Sequence, residues 1–532
     1  MNLKALEHLK RGIGYLESGD PKRALHAFNR AIGLDSELVE AHYLRGLANS
    51  INAAYEDAVG DFTQVIRLQP ERANAHYRRA LCHAQLKHFE EAINDYHEAI
   101  RLSPEFVEAY FGRGFAYGEL GEHELAIDNF NIALQLAPGD ANSLLMRGQA
   151  YSSLRQYRRA IADLDEAIVS QPDNLNAYWH RGFCYSELGK FQEAIADCNQ
   201  VLRINPNFAE AYFVRGVARD ELGEHDAALE DFEQAVKLKA DFPAALLHRA
   251  IALIRSGRVP RAIHDLNRAA ELDPTNFKIF VNRAAAYAQT GETQKAVDDL
   301  EQVIRLNPRL AEARVHCGAL YSMLGEDESA IDHFTEAIRL DGTLEEAYSQ
   351  RAAVYRKLGK MDQAIQDVEK MVALKESDDT YAKRGALHYQ SGNYEEAIRD
   401  FETAIEINPD NVMHYCNLST ALVQEGRHDD AIARLSEALD QHHDSPEVHF
   451  NLGTVHADKG EFEKSVSDYS KAIDLKHDFA EAYYLRGLAS AKLGNEEAAR
   501  TDMQRAMELD PRLADAADSD KVAADSDDAD AS

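Results

Sequence analysis

Histidines, cysteines and clustered carboxylates are the side chains here that could hold a metal or attack a substrate, and their spacing argues against both. His8, His42 and His76 recur at intervals of 34 residues. Stacked at that period they stand roughly 10 Å apart, one helix diameter. Shared coordination needs metal–nitrogen distances of about 2 Å, so they read as substitutes for an aromatic residue. A denser group, His442, His443, Asp444, Glu447 and His449, reads as a polar turn between two structural units. Cys82, Cys184, Cys198, Cys317 and Cys416 are odd in number and lack a CxxC spacing, so they are expected to be reduced packing residues. No phosphate-binding glycine loop, nucleophile elbow or HExxH motif occurs. The carboxylates are spread so evenly that pairing any two as acid and base is arbitrary. The expectation is a non-enzyme with no catalytic residue, no cofactor and no metal.

What positions these residues is a repeat. Fifteen copies of a 34-residue unit run from Ala5 to Leu513, and Ala209 to Phe242 is a central example. A fixed period of this length marks a stack of supersecondary units, each packed on its neighbours. Numbering positions from Ala5, position 8 is always Gly, Ala or Ser. Position 20 is Ala in fourteen repeats, and position 27 is Ala in eleven. Small residues at fixed points let two helices approach, and large ones between them, such as Phe62, Tyr96, Phe130 and Phe232 at position 24, fill the gaps. Gly at position 15 in twelve repeats closes the first helix, and Pro at position 32 in nine ends the second. Pro21, Pro243, Pro260 and Pro446 fall in the first turn of a helix, where a missing N–H costs little. Position 7 is Arg in twelve repeats, and position 23 is Asp in ten of those. The covariation predicts an Arg–Asp pair bridging two helices or adjacent repeats. Where position 7 is Cys317 or Leu418, position 23 is His333 or Arg434.

The pattern resembles the tetratricopeptide repeat (TPR) family, as Tyr212, Gly216, Ala228, Phe232 and Ala235 show in repeat 7. The resemblance covers 509 of 532 residues. Repeats 13 and 14 depart most, with Ser419, Ser465, His443 and His477 at motif positions. The resemblance implies an all-α fold, a right-handed α-solenoid superhelix of helix-turn-helix repeats. It also implies that positions 2, 5, 6, 9, 12 and 13 of the first helices line a concave groove for an extended or helical protein segment. The domain reading is repeats 1–11 over 5–377, repeats 12–15 over 378–513, and a disordered acidic tail over 514–532.

Composition narrows the partner. A formal charge of −33 argues against nucleic acid and against an anionic membrane. No apolar run of 18 residues exists, and the N-terminal MNLKALEHLK lacks the core of a signal peptide. With the unpaired cysteine count, this points to a cytoplasmic protein. The tail holds seven Asp and one Lys, too little apolar surface to offset ordering entropy.

Reading the groove positions gives a nonuniform surface. Position 5 carries Tyr43, Tyr77, Phe111, Trp179 and Phe213, and position 9 adds Phe115 and Phe183. Repeats 1–7 place Glu17, Glu40, Glu108, Glu119, Glu187, Glu210, Asp220 and Glu221 there, opposed by Lys10 and Arg78. Repeats 8–12 reverse the balance with Arg255, Lys278, Arg356, Lys357 and Lys383 against Glu312, Glu346 and Asp379. The site expected is therefore Tyr43, Tyr77, Glu108, Phe111, Phe115, Glu119, Trp179, Phe183, Glu187, Phe213, Asp220 and Glu221. Its partner is a basic, apolar-studded protein segment; the competing reading is half-packed rings among solvated charges. The lysine and asparagine clamp by which some TPR co-chaperones hold a C-terminal carboxylate is missing, since no repeat has Lys at 5 or Asn at 9. Only Asn282, Asn417 and Asn451 match the position-6 asparagine ladder of another subset.

The function expected is a protein–protein interaction scaffold. Its rival is a regulatory or substrate-recruiting subunit of a separate transferase or kinase. Two irregularities stand out. Repeat 11 is one residue short, which predicts a kink or weaker stacking near Lys375 to Asp379. The array ends without a polar capping helix, so Met503, Met507 and Leu509 offer a surface for self-association through the C-terminal end unless residues 514–524 cover them.

Overall fold

The computed structural model describes residues 2–441 and 445–513. His442, His443, Asp444 and the expected acidic tail lie outside the described residues. Among these, thirty α-helices follow one another with no strand, two to a repeat. Repeat 7 is typical: Ala209–Glu221, a turn, His225–Leu238, a second turn. The all-α solenoid of helix pairs is what the 34-residue period required. No helix among the described residues is long and apolar enough to cross a membrane. The chain divides into two compact halves, one ending at Pro274 and the other beginning at Thr275.

The turn inside each repeat is set by one backbone conformation. Position 15 is left-handed in all fifteen repeats, twelve times as Gly and three times as Ala53, Lys87 and Arg155, at φ of 58°, 61° and 58°. All four first-turn prolines occupy N1 or N2 of their helices. The first helices mostly start without a side-chain cap. At seven of these uncapped starts position 34 of the preceding repeat holds Leu or Phe, and each such Phe packs under its own repeat's position-5 ring. Phe106 lies 4.7 Å from Tyr77, and Phe242 lies 5.0 Å from Phe213, between ring centroids. Burial of such a ring contributes about 2–3 kcal/mol, more than the roughly 1 kcal/mol of a cap.

The interior follows the small–large columns. Phe62, Phe232, Phe334 and Phe401 at position 24 are fully buried. A Cβ added at Gly216 meets Phe232 at 2.7 Å, which is why position 8 stays small. The cysteines are free and buried, as expected of packing residues. Burial pushes the thiols of Cys198 and Cys416 up to about 12.

The Arg–Asp columns form a repeated staple. In ten repeats the arginine makes a bidentate pair with the aspartate 16 residues on, as Arg215 does with Asp231 at 2.9 and 2.6 Å. The aspartate comes from the second helix of the same repeat. In repeats 2, 3, 5, 6, 7, 11 and 15 the remaining arm reaches position 25 of the preceding repeat, as Arg45 does to Asn29, Arg79 to Thr63, Arg147 to Asn131 and Arg215 to Asn199. Both bridges allowed by the sequence are thus made at once. Asp231 is only 3% exposed, so the pair is a buried one. In repeats 2 and 3 the position-4 histidine joins it: His42 and His76 lie 3.6 and 3.7 Å from Asp61 and Asp95. Burial works against the ionised Asp95, but the Arg79 hydrogen bonds and the nearby His76 ring outweigh it and hold the carboxyl below its ordinary range. In repeat 6 burial prevails and Asp197 is pushed up, because a second carboxylate, Asp165, shares Arg181.

At the shortened end of repeat 11 the chain passes from Met361–Leu374 to Asp378–Gln390. Ser377 and Thr380 form a reciprocal capping box, and the Thr380 hydroxyl also donates to the Lys375 carbonyl. Ser377 caps from the same station as Asp140, Asn174, Asn276, Asn411 and Ser445, while Glu376 stands where nine repeats have proline.

Candidate functional site

All twelve expected site residues lie in the N-terminal half, on first helices. The position-5 rings are half-buried, because each packs on the position-24 side chain of its own repeat, the position-34 side chain, or both. Tyr43 meets Phe62 edge-on at 5.8 Å, and the Arg72 guanidinium sits 3.9 Å from its centroid. Phe111 packs on Phe130 at 5.8 Å. Trp179 lies 5.5 Å from Phe208 and 6.3 Å from Phe183. Phe213 contacts Phe232, Phe242 and His248 at 6.2, 5.0 and 5.3 Å. These edge and tilted geometries are those of a packed wall, with one side of each ring left to solvent.

The carboxylates divide into engaged and open groups. Arg72 donates to Glu40 at 2.8 Å, Lys239 to Glu210 at 2.8 Å, and the Tyr157 hydroxyl to Glu187 at 3.0 Å. Asp220 is held by Arg255 and by His225, the latter at 2.7 Å. Burial opposes its ionisation, but those two partners hold its carboxyl below the ordinary range. Glu108, Glu119 and Glu221 are exposed and carry no hydrogen bond or ion pair among the described residues.

One expected ring differs from the rest. Phe115, at position 9, is 37% exposed, and it borders a cavity of about 380 Å³. The cavity opens between Val107–Glu119 and Ala141–Ser153. Phe130 and Ala126 floor it, Gly114 and Gly118 leave the room, and Glu119, His123, Met146 and Gln149 rim it. The structure thus brings Phe115 and Glu119 to one cavity and leaves Tyr43, Tyr77, Trp179 and Phe213 in the wall. Met146, Gln149 and His123 were not singled out by the sequence. The only signal for them was that positions 6 and 9 of the next repeat, and position 17, border the same gap.

The C-terminal half holds a cavity at equivalent positions with the opposite charge. It measures about 230 Å³, lies between the first helices Glu345–Lys357 and Asp378–Gln390, and is lined by Ala352, Arg356, Val368, Lys383 and Leu387. Lys383 is paired with Asp379 at 2.7 Å, and Arg356 carries no partner among the described residues. At the end of the array Met503, Met507 and Leu509 are half-buried.

Comparison with known proteins places this geometry. Tetratricopeptide repeat models match residues 9–50, 52–96, 145–209 and 213–277, 107–140, 277–310 and 345–378, 388–450 and 480–513. A TPR repeat model matches 83–121 and 453–494. A model of anaphase-promoting complex subunit 5 matches 306–346. No curated protein matches the sequence. Among solved structures the chain is similar to YrrB, described as a TPR protein with an unusual peptide-binding site, at 25% identity over 35% of this chain and 95% of that one, with a TM-score of 0.32. It is similar to a chain of the APC/C hetero-tetramer Cut9–Hcn1 at 15% identity, over 90% and 95% of the two chains, with a TM-score of 0.35. A chain of Naa15/Naa10 bound to HypK-THB is 12% identical over 99% and 97%, with a TM-score of 0.39. With a helix pair in each of fifteen repeats and tetratricopeptide repeat models matched over most of residues 9 to 513, the chain belongs to the tetratricopeptide repeat family.

Proposed function

We propose that the chain is a protein-interaction scaffold whose first-helix face in the N-terminal half receives an extended or helical segment carrying basic and apolar residues side by side. The observation that carries this reading is the Phe115–Glu119 cavity. An exposed ring, an apolar floor and an unpaired carboxylate stand at one mouth. Such a pocket takes an aliphatic or aromatic anchor, and the carboxylate selects a cation beside it. Glu108 and Glu221, also unpaired, extend the acidic surface on neighbouring first helices. The rival reading, a recruiting subunit of a separate transferase or kinase, uses the same face and is favoured by such activity co-purifying with the chain.

The test is selection of peptides from a random library on the full chain, followed by anisotropy titration of those recovered. The expected ligands pair Lys or Arg with a large apolar residue. Phe115→Ala weakens them about tenfold or more, and Glu119→Lys does so with a reduced salt dependence. Trp179→Ala with Phe213→Ala weakens them too, but also lowers thermal stability, because both rings pack in the wall. Selected peptides without basic residues, or affinities unmoved by Phe115→Ala and Glu119→Lys, overturn the reading.

A further inference from the structure

In repeat 10 the three stations of the arginine staple carry a different chemistry. Position 7 is Cys317 on Ala311–Leu324, position 23 is His333 on Asp327–Leu340, and position 25 of the preceding repeat is Glu301 on Thr293–Leu306. Cys317 Sγ lies 3.8 Å from His333 Nε2, and His333 Nε2 lies 3.7 Å from Glu301 Oε1. All three donor atoms fall within 4.8 Å of one another, the one such convergence of three His, Cys, Asp or Glu ligands among the described residues. A tetrahedral site with bonds of 2.0–2.3 Å holds its donors roughly 3.3–3.8 Å apart. The Cys317–His333 contact is at the long limit for a sulfur hydrogen bond, the His333–Glu301 contact is too long for one, and both are close to the spacing of a ligand set.

We propose that Glu301, Cys317 and His333 bind one zinc-class divalent cation, with a water in the fourth position, and that the ion takes over the staple at this repeat junction. The donor set fits the class: thiolate and imidazole favour a borderline-soft ion, and the carboxylate supplies a second anionic ligand, so thiolate and carboxylate together balance the charge of the divalent ion. Second contacts orient the ligands. The Tyr321 hydroxyl donates to Glu301 at 3.1 Å, and the Tyr321 ring stacks on the His333 imidazole at 5.2 Å and 24°. Glu301 is 37% exposed while Cys317 is fully buried, so the ion enters from the Glu301 side. Binding displaces the Cys317 proton to solvent, and Nε2 ligation leaves the remaining imidazole proton on Nδ1. Arg305, 3.7 Å from Glu301, is an exposed cation at the rim and swings away.

The same atoms show what an ion adds at this junction. In repeats 2, 3, 5, 6, 7, 11 and 15 one guanidinium spans two helices of its own repeat and the second helix of the one before. Cys317 is too short to span that gap, and a bound cation restores the three-way link among the same helices.

The probe is Co2+ titrated into the chelator-treated full chain and followed by absorption, with Zn2+ as competitor. The expected result is one ion per chain, a thiolate-to-cobalt charge-transfer band and tetrahedral d–d bands, all lost on adding Zn2+. Cys317→Ser and His333→Gln remove the thiolate band and cost more than the roughly 10–100-fold in affinity carried by outer-shell partners. Cys416→Ser, at a buried cysteine outside the cluster, leaves it intact. A second variant guards against misfolding: Cys317→Arg with His333→Asp rebuilds the staple used by ten other repeats. It is expected to fold, to bind no cobalt through sulfur and to lose the thermal shift that Zn2+ gives the parent chain. No thiolate band at saturating Co2+, or a band that survives Cys317→Ser, overturns the proposal.

Discussion

Arginine at position 7 joins the two helices of its repeat through aspartate and joins that repeat to the one before through position 25. Half of this was legible in the sequence, because Asp at 23 follows Arg at 7. The other half was not, because position 25 accepts the third arm with Asn, Asp, Thr or Ser, and no single residue type marks it. The Cys317–His333–Glu301 cluster escaped for the same reason. Its members are 16 residues apart, a spacing that carries no contiguous ligand motif and gains meaning only when the Arg–Asp stations are known. A second residue-scale consequence concerns His180, which lies against Gln149 at 2.6 Å and beside Trp179, the one tryptophan of the chain. Burial pushes its pKa down to about 4. The unfolded chain protonates this histidine near 6.5, while the folded chain keeps it neutral. Its contribution is therefore complete above about pH 6.5 and is lost as pH falls toward 4, by roughly 3 kcal/mol over that window. Trp179 fluorescence reports the unfolding directly. The urea midpoint is expected to drop more between pH 7 and pH 4.5 in the parent chain than in His180→Leu. Equal drops would mean that His180 takes a proton without cost in the folded state.

At the scale of elements, most helix ends could be read in advance from proline in the first turn, proline at 32 and glycine at 15. The exceptions are Ala53, Lys87 and Arg155, where the sequence offers no glycine and the backbone is left-handed all the same. Packing of the two helices over-determines the turn, so the strain is accepted locally. A left-handed L-residue costs roughly 1–2 kcal/mol, and glycine returns part of that gain as unfolded-state entropy. Lys87→Gly and Arg155→Gly are each expected to stabilise the chain by about 0.5–1 kcal/mol. Gly223→Ala tests the converse without steric confusion, since a Cβ there meets nothing within 4 Å and only the φ of +81° opposes it. It should lower stability by about 1 kcal/mol. Calorimetric scans of the three variants decide the matter, and a destabilised Lys87→Gly would show that its side chain contributes more than its backbone strain removes. The candidate site divides along the same line. Phe115 and Glu119 were legible by position. That Trp179 and Phe213 are half committed to the wall stood in the sequence only as the competing reading, because deciding it depends on Phe208 and Phe242 packing at the helix start in place of a polar cap.

Across the whole molecule, stability in such an array is a sum of repeat contributions and nearest-neighbour links, so the pattern of staples predicts where it opens. In the N-terminal half, repeats 2 to 8 each carry arginine at position 7 bonded to position 23, with Asn129 standing in for aspartate in repeat 4 at 2.8 Å from Arg113. In the C-terminal half the link changes three times. Repeat 10 has the Cys317 cluster. Repeat 13 has Leu418, and its Arg434 reaches back to Glu402 from a position 41% exposed. Repeat 14 has Leu452, and its Asp468 turns to His456 at 2.8 Å instead. An exposed pair such as Arg434–Glu402 is worth at most about 1 kcal/mol, whereas loss of a buried partner costs about 3–5 kcal/mol elsewhere in the ladder. Hydrogen exchange is therefore expected to show lower protection over 412–441 and 446–475 than over 345–374 and 378–407, even though the latter flank the shortened Lys375–Asp379 connection. Replacing Leu418 by Arg and Arg434 by Asp should raise protection in 412–441 toward that of its neighbours. Uniform protection across these segments, unmoved by that exchange, would mean that apolar packing alone couples the repeats and that the arginine column serves only to fix their angle.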